Sequence, residues 1–313
     1  MPYDNLISRT DAAGLIPEEV SRRMLNDLEN DGGVLGVFTR IPVSRAQVRF
    51  PVLSALPVAY FVTGDTGLKQ TTEVNWENKY LNIEEIATII PVPENVLDDV
   101  DIDIWAEVEP LVRQALERTL DAAVYFGTNA PGTWPTNIAA ATAAAGNSVV
   151  RGTASAATGG VATDVSNLLS TLEADGYDPD RVIARTTLKG IFRNARDAQG
   201  VRNAEVDQNS VWGSAVRYPM RGLWPTAVSS PEMFCLDSQR FVVGVRSDIS
   251  LKVLDQAVIQ DNTGEIVYNL PQQDMVAVRA TFRIGWQVSN PINYDQATEA
   301  NRYPAGRLVS PAA

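Results

Sequence analysis

The sequence predicts an α+β protein in which helices and strands fall into separate blocks, with at least one domain assembled from both ends of the chain. Three stretches carry that prediction. Apolar residues recur at helical spacing at Ile104, Val108, Leu111, Val112, Ala115, Leu116, Leu120, Ala123 and Val124. A helix-strand-helix pattern occupies residues 164–200. Near the end, Met275, Val276, Val278, Ala280, Phe282 and Ile284 mix with Arg279, Thr281 and Arg283 in period two, as in a strand with one buried and one wet face.

In chain order, residues 16–30 predict a short amphipathic helix: Pro17 at a first helical position, Glu18 and Glu19 in the first turn, and Val20, Met24 and Leu28 on one stripe. From residue 34 to 90 the text turns extended and β-branched. It is interrupted by the polar, turn-rich segment 64–72, so a long two-stranded excursion with an exposed tip is expected. Such a hairpin has little core of its own and needs another molecule to rest on. Asp98, Asp99, Asp101 and Asp103 suit the positive end of the long helix, Pro110 should kink or restart it, and Gly127 closes it. The Ala, Gly, Thr and Ser-rich residues 128–162 read as a long loop or weakly structured insertion. Asp164 is expected to cap a helix carrying Val165, Leu168, Leu169 and Leu172, stopped by Gly176. A strand at residues 181–184 and a helix carrying Leu188, Ile191, Phe192 and Ala195, ending near Gly200, follow. The last third is mostly strand, with a turn at residues 261–264.

Composition narrows the chemistry. The 313 residues contain 26 Lys plus Arg against 38 Asp plus Glu, a formal charge of −12, and no histidine. Without histidine there is no Ser-His-Asp or Cys-His machinery and no His-ligated zinc. The single cysteine, Cys235, excludes an intrachain disulfide, and its apolar neighbours Phe234 and Leu236 predict an inert buried thiol. The acidic balance argues against gripping a polyanion over the whole surface, although not against enclosing one. Residues 1–11 lack signal-peptide character, and no stretch is apolar for the length of a membrane span.

Candidate active groups weaken on inspection. The segment beginning at Gly64 has Lys69 but lacks the Gly-Lys-Ser/Thr of a phosphate loop. Asp99, Asp101 and Asp103 open like a calcium loop, but Ile104 and Pro110 stand where its turn glycine and bidentate glutamate belong. Neither Glu84 with Glu85 nor Glu107 with Glu109 aims two carboxylates at one bond. No serine sits in a nucleophile motif. Of the six tryptophans, Trp76 falls in the hairpin and Trp105 in the long helix, while Trp134, Trp212, Trp224 and Trp286 are equally suited to core or contact roles.

This order of elements resembles the HK97-type major capsid proteins of tailed double-stranded DNA bacteriophages. Residues 80–128, with the turn PENVLDD between strand and helix, are similar to that family's strand leading off its extended loop and to its spine helix. Residues 168–200, with the turn GYDPD, are similar to its axial-domain segment, and residues 240–259 and 272–294 to its closing strands. The resemblance spans residues 35–294 and implies an HK97-like capsid fold. Its expected parts are an N-terminal arm at 1–35, an extended β-hairpin loop at 36–80, a peripheral domain beginning with the spine helix at 81–131, an axial domain at 132–270, and a peripheral closing strand and C-terminal tail at 271–313. It also implies that the extended loop makes intersubunit contacts, here through Gly64, Asp65, Gly67, Lys69 and Trp76. Some members weld a loop lysine to a neighbour's asparagine with help from a glutamate. Lys69 matches that lysine by position, and Asn290 or Asn293 with Glu299 stand near the closing strand without a motif that fixes them. Other members begin with a long cleaved scaffolding segment. The short arm here resembles members that use a separate scaffolding protein or none.

The implied function is structural: no catalysis, cofactor or metal, but self-assembly into hexamers and pentamers of an icosahedral head in the host bacterial cytoplasm. Implied partners are the portal, scaffolding or cement proteins, and packaged double-stranded DNA contacted non-specifically, with no membrane. Two other readings stand beside it. An encapsulin-type compartment shares the fold but holds cargo enzymes, and a carboxylate-dependent hydrolase would need a pair of acids that these residues do not supply.

Overall fold

A computed structural model describes residues 33–62, 69, 71–95, 104–196, 199–219 and 222–312. The helix expected at residues 16–30 and the aspartates at 98–103 lie outside the described residues. In chain order the elements are α1 (Val34–Val37), β1 (Thr39–Pro42), β2 (Gln47–Ala55), β3 (Asn75–Asn82), β4 (Glu84–Pro93) and α2 (Ile104–Asp121), which continues as a π-helical turn, Ala122–Phe126. Then come α3 (Ile138–Ala144), β5 (Ser148–Val150), α4 (Val161–Ala174), β6 (Arg181–Ala184), α5 (Leu188–Arg193), β7 (Ser210–Val211), β8 (Ser214–Arg217) and β9 (Pro231–Leu236). The chain closes with β10 (Phe241–Leu254), β11 (Val258–Gln260), β12 (Ile266–Asn269), β13 (Met275–Val288) and β14 (Ala305–Val309). Two compact units result, each built from separate stretches of chain. The first holds Ile83–Leu120 and Val245–Ile284, and the second holds Asn30–Asn82, Asp121–Gly244 and Gly285–Ala313.

In the first unit β13 runs antiparallel to β4, from Met275 opposite Pro93 to Ile284 opposite Glu84, with β10 on the other side of β13. The expected alternation is present: Ala280, Phe282 and Ile284 are buried, while Arg279 and Arg283 are exposed. On α2, Val112, Leu116 and Leu120 form the buried stripe, whereas Leu111 is 63% exposed and does not belong to it. Pro110 is accommodated inside the helix. Leu270, Met275 and Ala277 form a small core beneath the β11-β12 hairpin with Leu254, Ile259 and Tyr268.

The second unit is built on a six-stranded sheet in the order β5-β14-β9-β6-β8-β7. Strand β9 pairs antiparallel with both β14 and β6, so it lies at the centre with all six residues buried. Its side chains feed two layers. Met233 and Cys235 join Val165, Leu168, Leu172, Val182 and Leu308 in a core against α4. Phe234 instead stacks with Tyr125 at 5.8 Å and Trp224 at 5.5 Å between ring centroids. Gly306 of β14 lies under α4, where a Cβ would come within 2.9 Å of Leu168 Cδ1. Elsewhere in this unit β1 flanks β10, and Phe38 stacks on Phe241 at 4.8 Å. The backbone N–H of Val34 donates to buried Asp121 Oδ1 at 2.8 Å, tying the described start of the chain to the end of α2.

Several expectations need correction. The alanine-rich stretch is not a plain loop: it contains α3, because alanine is the best helix former and the Asn137 side chain accepts a hydrogen bond from Ala140 N–H at 2.9 Å as an N-cap. Asp164 is not a cap, since Gly160 holds that position. It is a buried acceptor for Gly152 N–H at 2.7 Å and Ala154 N–H at 2.8 Å, and it folds the preceding loop back onto α4. Helix α5 ends at Arg193, before Gly200. The compact units place residues 121–131 and 285–313 in the second unit and 245–270 in the first. The tail residues of β14 are interior strand, buried except for half-buried Arg307.

Candidate assembly surface

Among the described residues strands β2 and β3 pair only with each other, from Gln47 opposite Asn82 to Leu53 opposite Trp76. β-Branched and aromatic residues favour the extended form here, but of seventeen residues only Val52 and Leu81 are buried. One face carries Leu53, Trp76, Pro51 and Tyr80, with Trp76 65% exposed. Beyond β2 the chain continues through exposed Val58, Tyr60 and Val62 and a fully exposed Phe61, with Val58 N–H donating to Thr72 Oγ1 at 2.9 Å. Aromatic side chains left in water at this density mark a contact surface.

The hairpin strands are held along much of their length, mainly by the end of β13 and the segment that follows it. Gln287 Nε2 donates to Tyr80 O at 2.6 Å, Ile292 N–H to Leu53 O at 3.0 Å, and Tyr294 OH to Pro57 O at 3.1 Å. Lys79 Nζ reaches Glu299 Oε1 at 2.7 Å, and Asn82 Nδ2 reaches Thr133 O at 2.8 Å. That segment is itself gathered around buried Arg302, whose guanidinium donates to the carbonyls of Asn290, Pro291, Gln296 and Ala297 at 2.7–3.3 Å. Tyr177 OH donates to Asn290 Oδ1, and burial pushes the Tyr177 hydroxyl up to about 12.

The sequence-derived candidates are distributed as follows. Gly64, Asp65 and Gly67 lie outside the described residues, Lys69 is exposed, and Trp76 is on the exposed hairpin face. Asn290, Asn293 and Glu299 are brought together in the anchoring segment, with their polar groups occupied. Asn290 Nδ2 donates to Arg302 O at 3.0 Å, and Asn293 Nδ2 to Asp175 O at 2.7 Å. Glu299 accepts from Lys79, and among the described residues Lys69 has no hydrogen bond or ion pair with any of the three. The anchoring role of residues 287–302 went unforetold, because a buried arginine serving backbone carbonyls leaves no spacing pattern.

Cys235 is buried and its thiol is pushed up to about 12 by desolvation, which makes it a poor nucleophile. Among the described residues no group of three or more Cys, Asp or Glu is placed to hold a metal ion, and no helix is long and apolar enough to cross a membrane.

A long helix, a helix-strand-helix layer over a mixed sheet, and a two-stranded arm without a core define the HK97-like class of phage shell folds. The family model described as the phage capsid family matches residues 12–293, and the chain belongs to that family of structural proteins. It is 21% identical over 304 residues to the major capsid protein of Staphylococcus phage 80alpha, covering 96% of this chain and 89% of that protein. It is 31% identical to a chain in the solved structure of Microbacterium phage Oxtober96, with a TM-score of 0.78 and coverage of 95% and 94%. A chain from Mycobacterium phage Cain gives 31% identity, a TM-score of 0.77 and coverage of 88% and 89%. Fold, family and relatives agree on a phage major capsid protein, a component of the virion shell that works by associating with other copies.

Proposed function

We propose that this chain closes, through hexamers and pentamers assembled in the host cytoplasm, into an icosahedral head around double-stranded DNA. The first unit serves as the peripheral domain, the six-stranded sheet as the axial domain, and the hairpin as the extended loop laid over a neighbouring subunit. The observation carrying this reading is the hairpin: Trp76, Tyr80, Tyr60 and Phe61 stand exposed on an arm whose strands are tied along their length to residues 287–299. An arm held in place with its aromatic side chains outward suits a fixed contact with a second copy, and closed symmetry repeats the contact many times. Portal and scaffolding or cement proteins are the further partners. The occupied amides of Asn290 and Asn293 favour non-covalent association over a Lys69 crosslink, so purified particles should run as monomers on a denaturing gel.

Negative-stain electron microscopy of the protein, with and without residues 64–72, tests the reading. Uniform closed shells from the parent and folded but unassembled subunits from the deletion are expected. Parent protein that stays monomeric beside co-expressed phage assembly proteins would refute the shell, and normal shells from the deletion would refute the role of the arm.

A further inference from the structure

One sheet face of the first unit is basic, in a chain of formal charge −12. Side-chain contacts fix which residues share it. Ser250 Oγ and Thr281 Oγ1 lie 2.6 Å apart between β10 and β13, and Arg283 Nε donates to Glu85 Oε2 on β4 at 2.7 Å. Strand alternation then puts Arg246 and Lys252 on the side of Ser250, and Arg279 and Arg283 on the side of Thr281. All four are exposed. Among the residues whose side chains are described, the acid there is Glu85, already engaged by Arg283, and Asp248 occupies the position of β10 between Arg246 and Ser250. Arg246, Lys252 and Arg279 make no hydrogen bond or ion pair with other described residues.

We propose that this face receives the phosphate backbone of the enclosed DNA and is therefore turned to the inside of the shell. The proposal rests on the reading of a DNA-enclosing head. The cations are spread over roughly 20 Å along the strands and about 10 Å across them, room for a few successive phosphates. Between them lie Ser250 and Thr281, with Ala87 beside Thr281 on β4, small residues that let a duplex approach. A protein partner would seek a buried aromatic or arginine-pocket anchor, and among the described residues of this face the one large exposed apolar side chain is Ile89. Phosphate neutralisation needs no such anchor, since counterion release supplies the driving force. Three uncommitted cations per subunit give weak sites repeated over the wall, while the acidic remainder limits sticking during packaging.

The test combines Lys252 chemistry with a charge-removed variant of the whole particle. Filled particles, the same particles after heat release of DNA, and dissociated subunits are treated with a small amine-acetylating reagent, and the Lys252 peptide is read by mass spectrometry. Protection in filled particles and reaction in the other two states is expected. The variant R246Q/K252Q/R279Q keeps the Arg283–Glu85 pair; it should form shells of parental size that release DNA at a lower temperature in low salt, with the difference closing in high salt. Lys252 reacting equally in filled particles and subunits would place the face outside and overturn the proposal. Equal protection in filled and emptied shells would mean that a protein covers the face, with the same consequence. An unchanged release temperature at every salt also overturns it. Particles that never contain nucleic acid would instead overturn the enclosing-head reading, and this proposal with it.

Discussion

Strand β9 and the β2-β3 hairpin are written in similar residues and end in opposite surroundings. PEMFCL is buried from end to end, with β14 and β6 on its edges, α4 over one face and the Tyr125–Trp224 stack against the other. QVRFPVLSA and NWENKYLN contain as many aromatic and aliphatic side chains, yet among the described residues each strand has one β partner and only Val52 and Leu81 are buried. Strand propensity follows from the residues, but burial follows from how many neighbours the topology supplies. A hairpin this short of strand neighbours needs other contacts to be stable, and residues 287–294 of its own chain supply part of them.

The comparison can be broken most forcefully from the buried side. Phe234→Ala empties the stack beneath β9 and should cost the isolated subunit about 3–5 kcal/mol in urea unfolding; a loss below about 1 kcal/mol would mean that this layer is loosely packed. Arg302→Met removes the charged donors of four carbonyls and should cost about 2–3 kcal/mol, with faster amide exchange across residues 287–299 as the local signature. Trp76→Ser with Phe61→Ser should move subunit stability by no more than about 0.5 kcal/mol, while the yield of closed shells falls sharply by sedimentation. Equal losses of stability and assembly would show that the hairpin has a hidden core within its own chain. The smallest effect belongs to Lys79→Met. Its bond to Glu299 is partly exposed, so about 0–1 kcal/mol is expected, shrinking further in salt.

Much of this molecule was legible locally. The buried stripe of α2, its stop at Gly127 with φ of +73°, the alternation of β13 and the buried thiol of Cys235 each follow from a few adjacent residues. Leu111 failed because the stripe is narrower than the apolar pattern, and Asp164 failed because a helix-opening aspartate satisfies a cap or a neighbouring loop equally well on paper. At the candidate surface Trp76 was visible as an aromatic in a polar strand, whereas the clamp around Arg302 was not.

By itself the sequence determined the α+β class, the order of the elements, the long arm with its polar tip, and the absence of histidine chemistry, since periodicity, turn residues and composition are properties of neighbouring residues. Only the tertiary structure decided that the last strand enters the interior of a six-stranded sheet beside β9, that residues 287–302 brace the arm, and that four basic side chains from two distant strands share one face. Those facts depend on contacts between residues about thirty to more than two hundred positions apart, and local pattern carries no record of them.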